Sequence, residues 1–530
     1  MELSLEESFW ILLVVAIIAW YVYDKYVQRE HQLLVNYPII GRLRYLLEEF
    51  REPFRQYFGD EKFYESKDKL DWVYKAARDL PNYASFSPAQ PLPKPKFMIR
   101  HANIVLNDNE VENSFEVIFG ERRRKPFISK SIIARSAMSD GSISPEGTRA
   151  FVQGSFIGGF PINSGEGGVT SNFFVTHENY DSKYMTIVDS SSLNKSIKRV
   201  AKFLFNGAIA ADVYRKLVFK NDPEAETYIL DMNKKQFYRP NWDAPLEVFP
   251  KEVPSDMPDI VFQISSGLYG TRDKNGKFDA YRYQKVMSFC QMTEIKIAQG
   301  AKQTGGKLSG QKVTPAIAYY RNVEAYKDVF SPNRFPYANS IEELFDFIGT
   351  LQELSGKPVG MKIVISDMQN IEPYAKEIKR RVDLGIDAYP DYITLDSGSG
   401  GSATAPLEMM ERVGLNVRDS VYLVNKVLTD YGVRDKVRIV ASGKILTPDD
   451  IIIVMSLGAD FLQIARGFMM SAGCIRARYC SGTTGRQCPV GLATQEKSKR
   501  KKYFVFKHAN YVANYHKNLL KNVRGLLAIM

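Results

Sequence analysis

The sequence predicts an α/β protein: a (β/α)8 TIM barrel with an N-terminal membrane helix and a helical N-terminal region. Three observations point there. From about residue 131, eight short Val- and Ile-rich runs alternate with amphipathic helical stretches. The runs are almost continuously apolar, as in parallel strands buried on both faces beneath helices. Each run also ends in small or polar residues, the end at which a barrel carries its chemistry.

The 530-residue chain is 45% apolar and 25% charged, the balance of a globular protein. Its four cysteines show no paired pattern, which fits a reducing compartment. The net charge of +11 suits an anionic membrane surface or an acidic partner, and equally an ordinary Lys-rich surface. Lys and Arg are spread along the chain, and RNP-type signatures and Cys/His fingers are absent. No nucleic-acid partner is expected. The five histidines are scattered, and His177-Glu178 lacks the second histidine of a zincin helix.

In chain order, Phe9 to Tyr23 carries no charge and has Trp10, Trp20, Tyr21 and Tyr23 near its ends. The run is shorter than the ~20 residues that span a bilayer comfortably, yet it is apolar on every side, so residues 1–30 read as a single-pass anchor rather than a core helix. Glu2, Glu6 and Glu7 precede it, and Lys25, Arg29, Arg42 and Arg44 follow it. The positive-inside bias therefore places the body in the cytoplasm, at the cell membrane. With no basic leading segment and no small-residue cleavage site, a removed signal peptide is not expected. Residues 31–127 read as helices, loops and a Pro-rich connector, PAQPLPKPKF. Residues 128–500 hold the barrel, interrupted at about 175–258 by an insertion rich in Lys, Asp, Asn and aromatics. Residues 501–530 form a C-terminal helix. It ends at GLLAIM without a stop signal, so the expectation is that the natural chain continues.

The strand runs are IIARSAMS, GFPINSG, DIVFQISSG, TEIKIAQGA, GMKIVIS, DYITLDSG, VRIVASGK and FLQIARG. The seventh ends in Ser442-Gly443-Lys444 and the eighth in Ala465-Arg466-Gly467. The sixth leads into Ser397-Gly398-Ser399-Gly400-Gly401. Glycines at these ends let backbone N–H groups approach a phosphate, so a phosphate-bearing cofactor is expected. Lys362 lies inside the fifth run, where a buried lysine needs a partner. Under a flavin it would stabilise negative charge at N1/O2 of the reduced ring; otherwise it is a snorkelling lysine or a member of a barrel ion pair. Glu294, Lys296 and Lys302 pose the same choice, and the loop around Lys302 and Lys307 suits a dicarboxylate.

Cys474, Cys480 and Cys488 are spaced C-x5-C-x7-C, with a proline directly after the last. Such a loop suits a three-iron cluster, or a four-iron cluster with one outside ligand. The other readings are three reduced thiols or an incomplete zinc site.

The segments SAMSDGSIS, NSGEGG, EIKIAQGAK, KIVIS, SGSGGSATAP and CPVGLATQ resemble the flavin domain of glutamate synthase over about residues 126–495. The apolar N-terminus plus YPIIGRLRYLLEEFREPFRQYF resembles the short membrane-anchored members of the FMN-binding glutamate synthase family. The resemblance implies FMN, with Ser139, Ser164, Lys362, Gly400, Gly401, Ser442, Gly443, Arg466 and Gly467 around it. It implies a 3Fe-4S cluster on Cys474, Cys480 and Cys488. It places Glu294, Lys296, Gln299 and Lys302 near flavin and 2-oxoglutarate. The implied reaction is reductive amination: ammonia and 2-oxoglutarate form 2-iminoglutarate, which takes a hydride from N5 of reduced FMN. The chain departs from the family in three places. The family spacing between the second and third cysteines is usually x4, against x7 here. QTGGKLSG lacks the acid of the family loop, and the insertion has no evident counterpart. Met1-Glu2 offers no N-terminal nucleophilic cysteine, and no pyridine-nucleotide domain is evident. The expected partners are therefore ammonia or a separate glutaminase, and a donor such as ferredoxin or a pyridine-nucleotide reductase. Two other functions fit these residues: a flavin barrel for another 2-oxo acid or amine, such as N-methylglutamate formation, and a membrane-anchored scaffold without turnover.

Overall fold

The computed structural model closes the eight runs into a parallel barrel in chain order. The strands are β1 Ile133–Arg135, β2 Ile162–Asn163, β3 Ile260–Ile264, β4 Met292–Lys296, β5 Val359–Ile363, β6 Tyr392–Asp396, β7 Arg438–Ser442 and β8 Phe461–Ile464, with β8 pairing back onto β1. The structure describes residues 5–49, 67–82, 97–107, 109–174, 185–187, 192–205, 210, 213–214, 217–219, 229–231, 236–240, 253–300, 306–313, 315–402, 405, 409, 412–477, 479–480, 487–500 and 502–530. Lys302 and much of the insertion lie outside the described residues.

Strands β3, β4 and β5 are buried at every position, which explains runs with so little polar alternation. Inward side chains stack in layers drawn from alternate strands. The lowest layers combine Ala134, Val261 and Val440 with Met292, Tyr392 and Phe461. A hairpin of Val117–Phe119 and Phe127–Ser129 closes this end. Its Phe119 ring meets Tyr392 at 5.4 Å and Phe461 at 5.1 Å, edge to face. This hairpin corrects the expectation of helices and loops up to residue 127. Strands of three residues are too short to display a two-residue period.

At the N-terminus, α1 (Leu5–Val22) runs on into a π-helical turn, Tyr23–Val27. The apolar span is therefore Ser8–Val27, 20 residues, long enough to cross a bilayer and longer than the run read from sequence. Only 6% of it is buried, so it is not a core helix of this fold. Asp24 at its end is buried and accepts from Arg42 Nε and Nη2 and from the Ile39 backbone N–H at 2.9 Å. Arg42 lies on α2 (Ile40–Glu49), so α2 is clamped to the end of the anchor. The next described helix, α3 (Lys67–Ala77), packs on the barrel through Leu70 and Val73.

α4 (Pro145–Gly158) starts where Ser144 caps the Gly147 N–H, with Pro145 at a position that needs no donor. It stops at Gly159 with φ +67°. Its Glu146 is buried and accepts twice from Arg500 Nη1, at 2.8 and 2.9 Å. Burial pushes that carboxyl up, but Arg500 and Arg149 outweigh it and hold it down at about 2, against 4.5 unperturbed. A depressed carboxyl stabilises the fold above its unfolded pKa, and the contribution disappears as pH falls through the folded value. We expect up to about 3 kcal/mol to be lost between pH 4.5 and pH 2, and Glu146→Gln to flatten that part of the curve. Urea midpoints measured across this range check it; an unchanged acid limb in the variant would refute it.

Among the described residues of the insertion are helix α5 (Ser192–Leu204) and a three-stranded antiparallel sheet with Gln236–Pro240 at its centre. A second excursion, not foreseen from the sequence, follows β4. It pairs Gly306–Leu308 with Val329–Ser331 and carries the short helix α6 (Pro315–Arg321) over the barrel mouth.

Candidate active site

Glu294 is the hub of the barrel interior. Its side chain is fully buried on β4. One oxygen accepts from Asn163 Nδ2 (2.9 Å) and Gln263 Nε2 (2.6 Å), the other from Thr394 Oγ1 (2.6 Å) and Gln463 Nε2 (2.8 Å). Asn163, Glu294, Thr394 and Gln463 come from β2, β4, β6 and β8, one layer of alternate strands. Four donors fill the acceptor sites of a carboxylate. The structure thus places this predicted catalytic residue beneath the mouth, organising the side chains around it.

One step nearer the mouth, Lys362 on β5 pairs in register with Lys296 on β4 and Thr394 on β6. Because paired residues share a face, all three point inward. Lys362 is only 5% exposed, and among the described residues its ammonium has no ion-pair or hydrogen-bond partner. A lysine buried along its stem, with an unpaired ammonium at the mouth, suits an anion from outside the chain. Lys296, also buried, pairs with Glu166 of the loop after β2 at 2.8 Å. Arg321 of α6 reaches the same place. Its guanidinium lies 5.3 Å over the Tyr269 ring and donates to the Asp140 carbonyl at 3.1 Å. Burial pulls its pKa down, against the opposing pull of Tyr269, Glu166 and Asp140.

The strand ends above are built for close backbone approach. Gly443 has φ +136°, and a Cβ there would lie 2.2 Å from the Ser397 Cβ. Lys444 follows at φ +43°. A Cβ on Gly467 would meet the Tyr515 hydroxyl at 2.0 Å, so only glycine lets β8 turn into Arg466–Ser471 at this point. Gly400 donates to the Ser397 carbonyl at 2.7 Å, and the open side of Gly401 faces the Arg466 guanidinium. Ser442 is buried beside them, and Gln299 is half-buried at the end of β4. Ser139 uses its carbonyl to hold the turn of residues 139–143. Ser164 is fully buried. Its hydroxyl accepts from Gln263 N (3.0 Å) and donates to Gly165 O (3.0 Å), so it joins β2 to β3 rather than facing the mouth.

The three cysteines lie close enough for their charges to act on one another. Burial pushes the Cys474 thiol up to about 12 and raises Cys480, so a bound cation is what would favour their thiolates. Lys312 donates to the Cys480 carbonyl at 3.1 Å and Tyr74 to the Cys474 carbonyl at 2.8 Å. Among the described residues no three His, Cys, Asp or Glu side chains close on a single metal ion. A cluster, whose sulfides bridge several irons, needs wider thiolate spacing than one ion does.

The sequence reading missed Asn163, Gln263, Thr394, Gln463, Glu166 and Arg321. The first four had a signal: each is a polar residue directly after an apolar one within a strand run, and all but Asn163 have an apolar residue on both sides. Arg321 had none, because α6 lies far from the strand ends in sequence.

The family model described as the conserved region in glutamate synthase matches residues 83–530. A glutamate synthase large subunit-like protein, YerD, of Bacillus subtilis is 28% identical over 562 residues, covering 98% of this chain and 90% of the relative. An archaeal-type glutamate synthase (NADPH) of Thermotoga sp. strain RQ2 is 32% identical over 47% of this chain and 45% of the relative. The archaeal glutamate synthase (NADPH) of Methanocaldococcus jannaschii is 30% identical over 51% of this chain and 49% of the relative. The match to these last two therefore spans about half of their length or less.

Proposed function

This chain belongs to the glutamate synthase family, and from that premise we propose that it is an FMN-dependent oxidoreductase that reductively aminates 2-oxoglutarate at the mouth of its barrel. The observation that carries the reading is Lys362, a 95%-buried lysine without a partner among the described residues, at the inner edge of a glycine-lined mouth. An anionic ring edge at N1/O2 of a flavin supplies the missing partner. The loops after β7 and β8 suit its phosphate. These residues fit the cofactor in kind, as three thiols close enough to interact fit an iron–sulfur cluster. When bound, FMN supplies hydride, and a 3Fe-4S cluster passes single electrons to it.

The chain's own residues then do the following. Arg321 binds a carboxylate of 2-oxoglutarate, with Lys302 the second cation the sequence offers for it; a guanidinium held over an aromatic ring is preorganised for a carboxylate fork. The Lys296 Nζ–Glu166 Oε2 pair holds a proton at the mouth that can be handed to the nascent amine. The net change is one carbonyl oxygen leaving as water, ammonia nitrogen entering, and two electrons and two protons added, one proton with the electrons as hydride and the other from the acid at the mouth. The whole enzyme's partners belong to the same proposal: ammonia or a separate glutaminase, and an electron donor such as ferredoxin or a pyridine-nucleotide reductase. We also read α1 as a single-pass anchor in the cell membrane, with the body on the cytoplasmic side. Asn36 Nδ2 donates to the Pro489 carbonyl at 2.6 Å, which sets the cysteine loop against the segment that follows this anchor. That contact favours electron entry on the membrane-proximal face.

Protein purified under argon is expected to release one FMN per chain on denaturation, to contain iron and acid-labile sulfide, and to turn over 2-oxoglutarate with ammonia and a reduced dye. Fully folded protein containing neither flavin nor iron would remove the proposal. Bound flavin without 2-oxoglutarate turnover would move the substrate to another 2-oxo acid.

A further inference from the structure

The described residues of the insertion at about 175–258 expose a concentrated apolar surface. On α5, Val200, Phe203 and Leu204 are exposed, Phe203 to 89%, and nearby Leu217 is exposed as well. At 100° per residue these three α5 positions share one arc. Ile197 and Ala201 on the adjoining arc pack in a small cluster with Tyr214. Lys198 and Arg199 fall on the remaining arc, and the helix sequence holds no acidic residue. An apolar face flanked by a wholly basic one is the pattern of a helix lying in a membrane interface.

A second helix repeats the exposure. On α2, Ile40 (77%), Leu43, Leu46 and Leu47 are exposed along one face, while Tyr45 on the other packs into the core. Both helices are tied to the last turn of the apolar span. α2 is clamped by the Arg42–Asp24 pair, and just beyond the end of α5 the Phe205 ring meets Tyr26 at 5.9 Å. Two separate segments therefore bring exposed leucine, valine and phenylalanine to the place where Ser8–Val27 would leave a bilayer.

We propose that α2 and α5 form an in-plane membrane contact around the base of the anchor, with the bilayer that the anchor spans as their partner. The contact rests on the reading of α1 as an anchor. It gives the insertion a function: the apolar arcs sit at the acyl boundary, and Lys198 and Arg199 of α5 meet lipid phosphates. Two in-plane helices beside one spanning helix fix the tilt of the barrel, and with it the side on which the cysteine loop lies.

The test uses the full chain in vesicles of phosphatidylethanolamine and phosphatidylglycerol. Photoreactive p-benzoylphenylalanine replaces Phe203, Leu47, Ile17 or Ile104, one at a time, and lipid adducts are read by mass spectrometry. Ile17 reports the anchor. Ile104, an exposed isoleucine (92%), is the control, since its segment is bonded to the far end of the long C-terminal helix, about 30 Å from the anchor-side end. Lipid adducts at Ile17, Phe203 and Leu47, at least about tenfold above Ile104, are expected. Adducts at Ile17 alone would overturn the in-plane contact and leave the anchor standing. No adduct at Ile17 would overturn both. Labelling at Ile104 equal to that at Phe203 would also overturn it, because the contact would then not be confined to this face.

Discussion

Replacing Glu294 by leucine is expected to cost about 4–6 kcal/mol, enough to unfold much of the population at ambient temperature. The carboxylate receives four buried side-chain donors, from Asn163, Gln263, Thr394 and Gln463. Leucine fills the volume but leaves all four in a dry interior. Each unsatisfied buried donor costs roughly 1–3 kcal/mol, and their losses overlap because they share one acceptor. Glu294→Gln should cost much less, about 1–3 kcal/mol. The Thr394 hydroxyl can turn to accept, and one glutamine amide can flip to present its oxygen. Urea midpoints for the two variants decide the matter: equal midpoints would mean that the network does not hold the barrel together.

Lys362→Met should have the opposite signature. Removing a charge that has no side-chain partner among the described residues, and filling its mostly buried volume with an apolar side chain, should leave the urea midpoint unchanged or raise it. Turnover with 2-oxoglutarate and ammonia should fall by at least about 10²-fold, the usual loss when one preorganised charge-stabilising donor is removed from a water-poor site. Bound FMN should fall with it. Full activity in a stable variant would show that Lys362 does not touch the flavin. A collapse of stability would show instead that the lysine is a structural member of the barrel.

The two residues separate because they occupy different layers, and that difference could not be read from spacing. Glu294 and Lys296 are two residues apart on one strand and point the same way. One is closed in by four side chains of other strands, while the other opens toward Glu166 and the mouth. From sequence both are buried charges near a strand end. Likewise Ser164 and Ser139 sit in similar glycine-rich segments, yet the Ser164 hydroxyl is used up within the backbone of its neighbours. The insertion read only as a polar, aromatic interruption. Its apolar arc appeared once α5 stood as a helix with one face uncovered.

Local chemistry determined the eight strands, their order and the glycines that end them. Burial on both faces leaves an unbroken apolar signature, and a tight turn demands a residue without a side chain. The cysteine trio was legible for the same reason, since its members lie within one short stretch. Only the tertiary structure decided which charged groups meet. Closing the barrel brings residues as far apart as Asn163 and Gln463 onto one carboxylate, and α6 carries Arg321 over a mouth to which it is not adjacent in sequence. Such contacts depend on register and layer height around a closed ring, which are properties of the assembled sheet and leave no mark on any single segment.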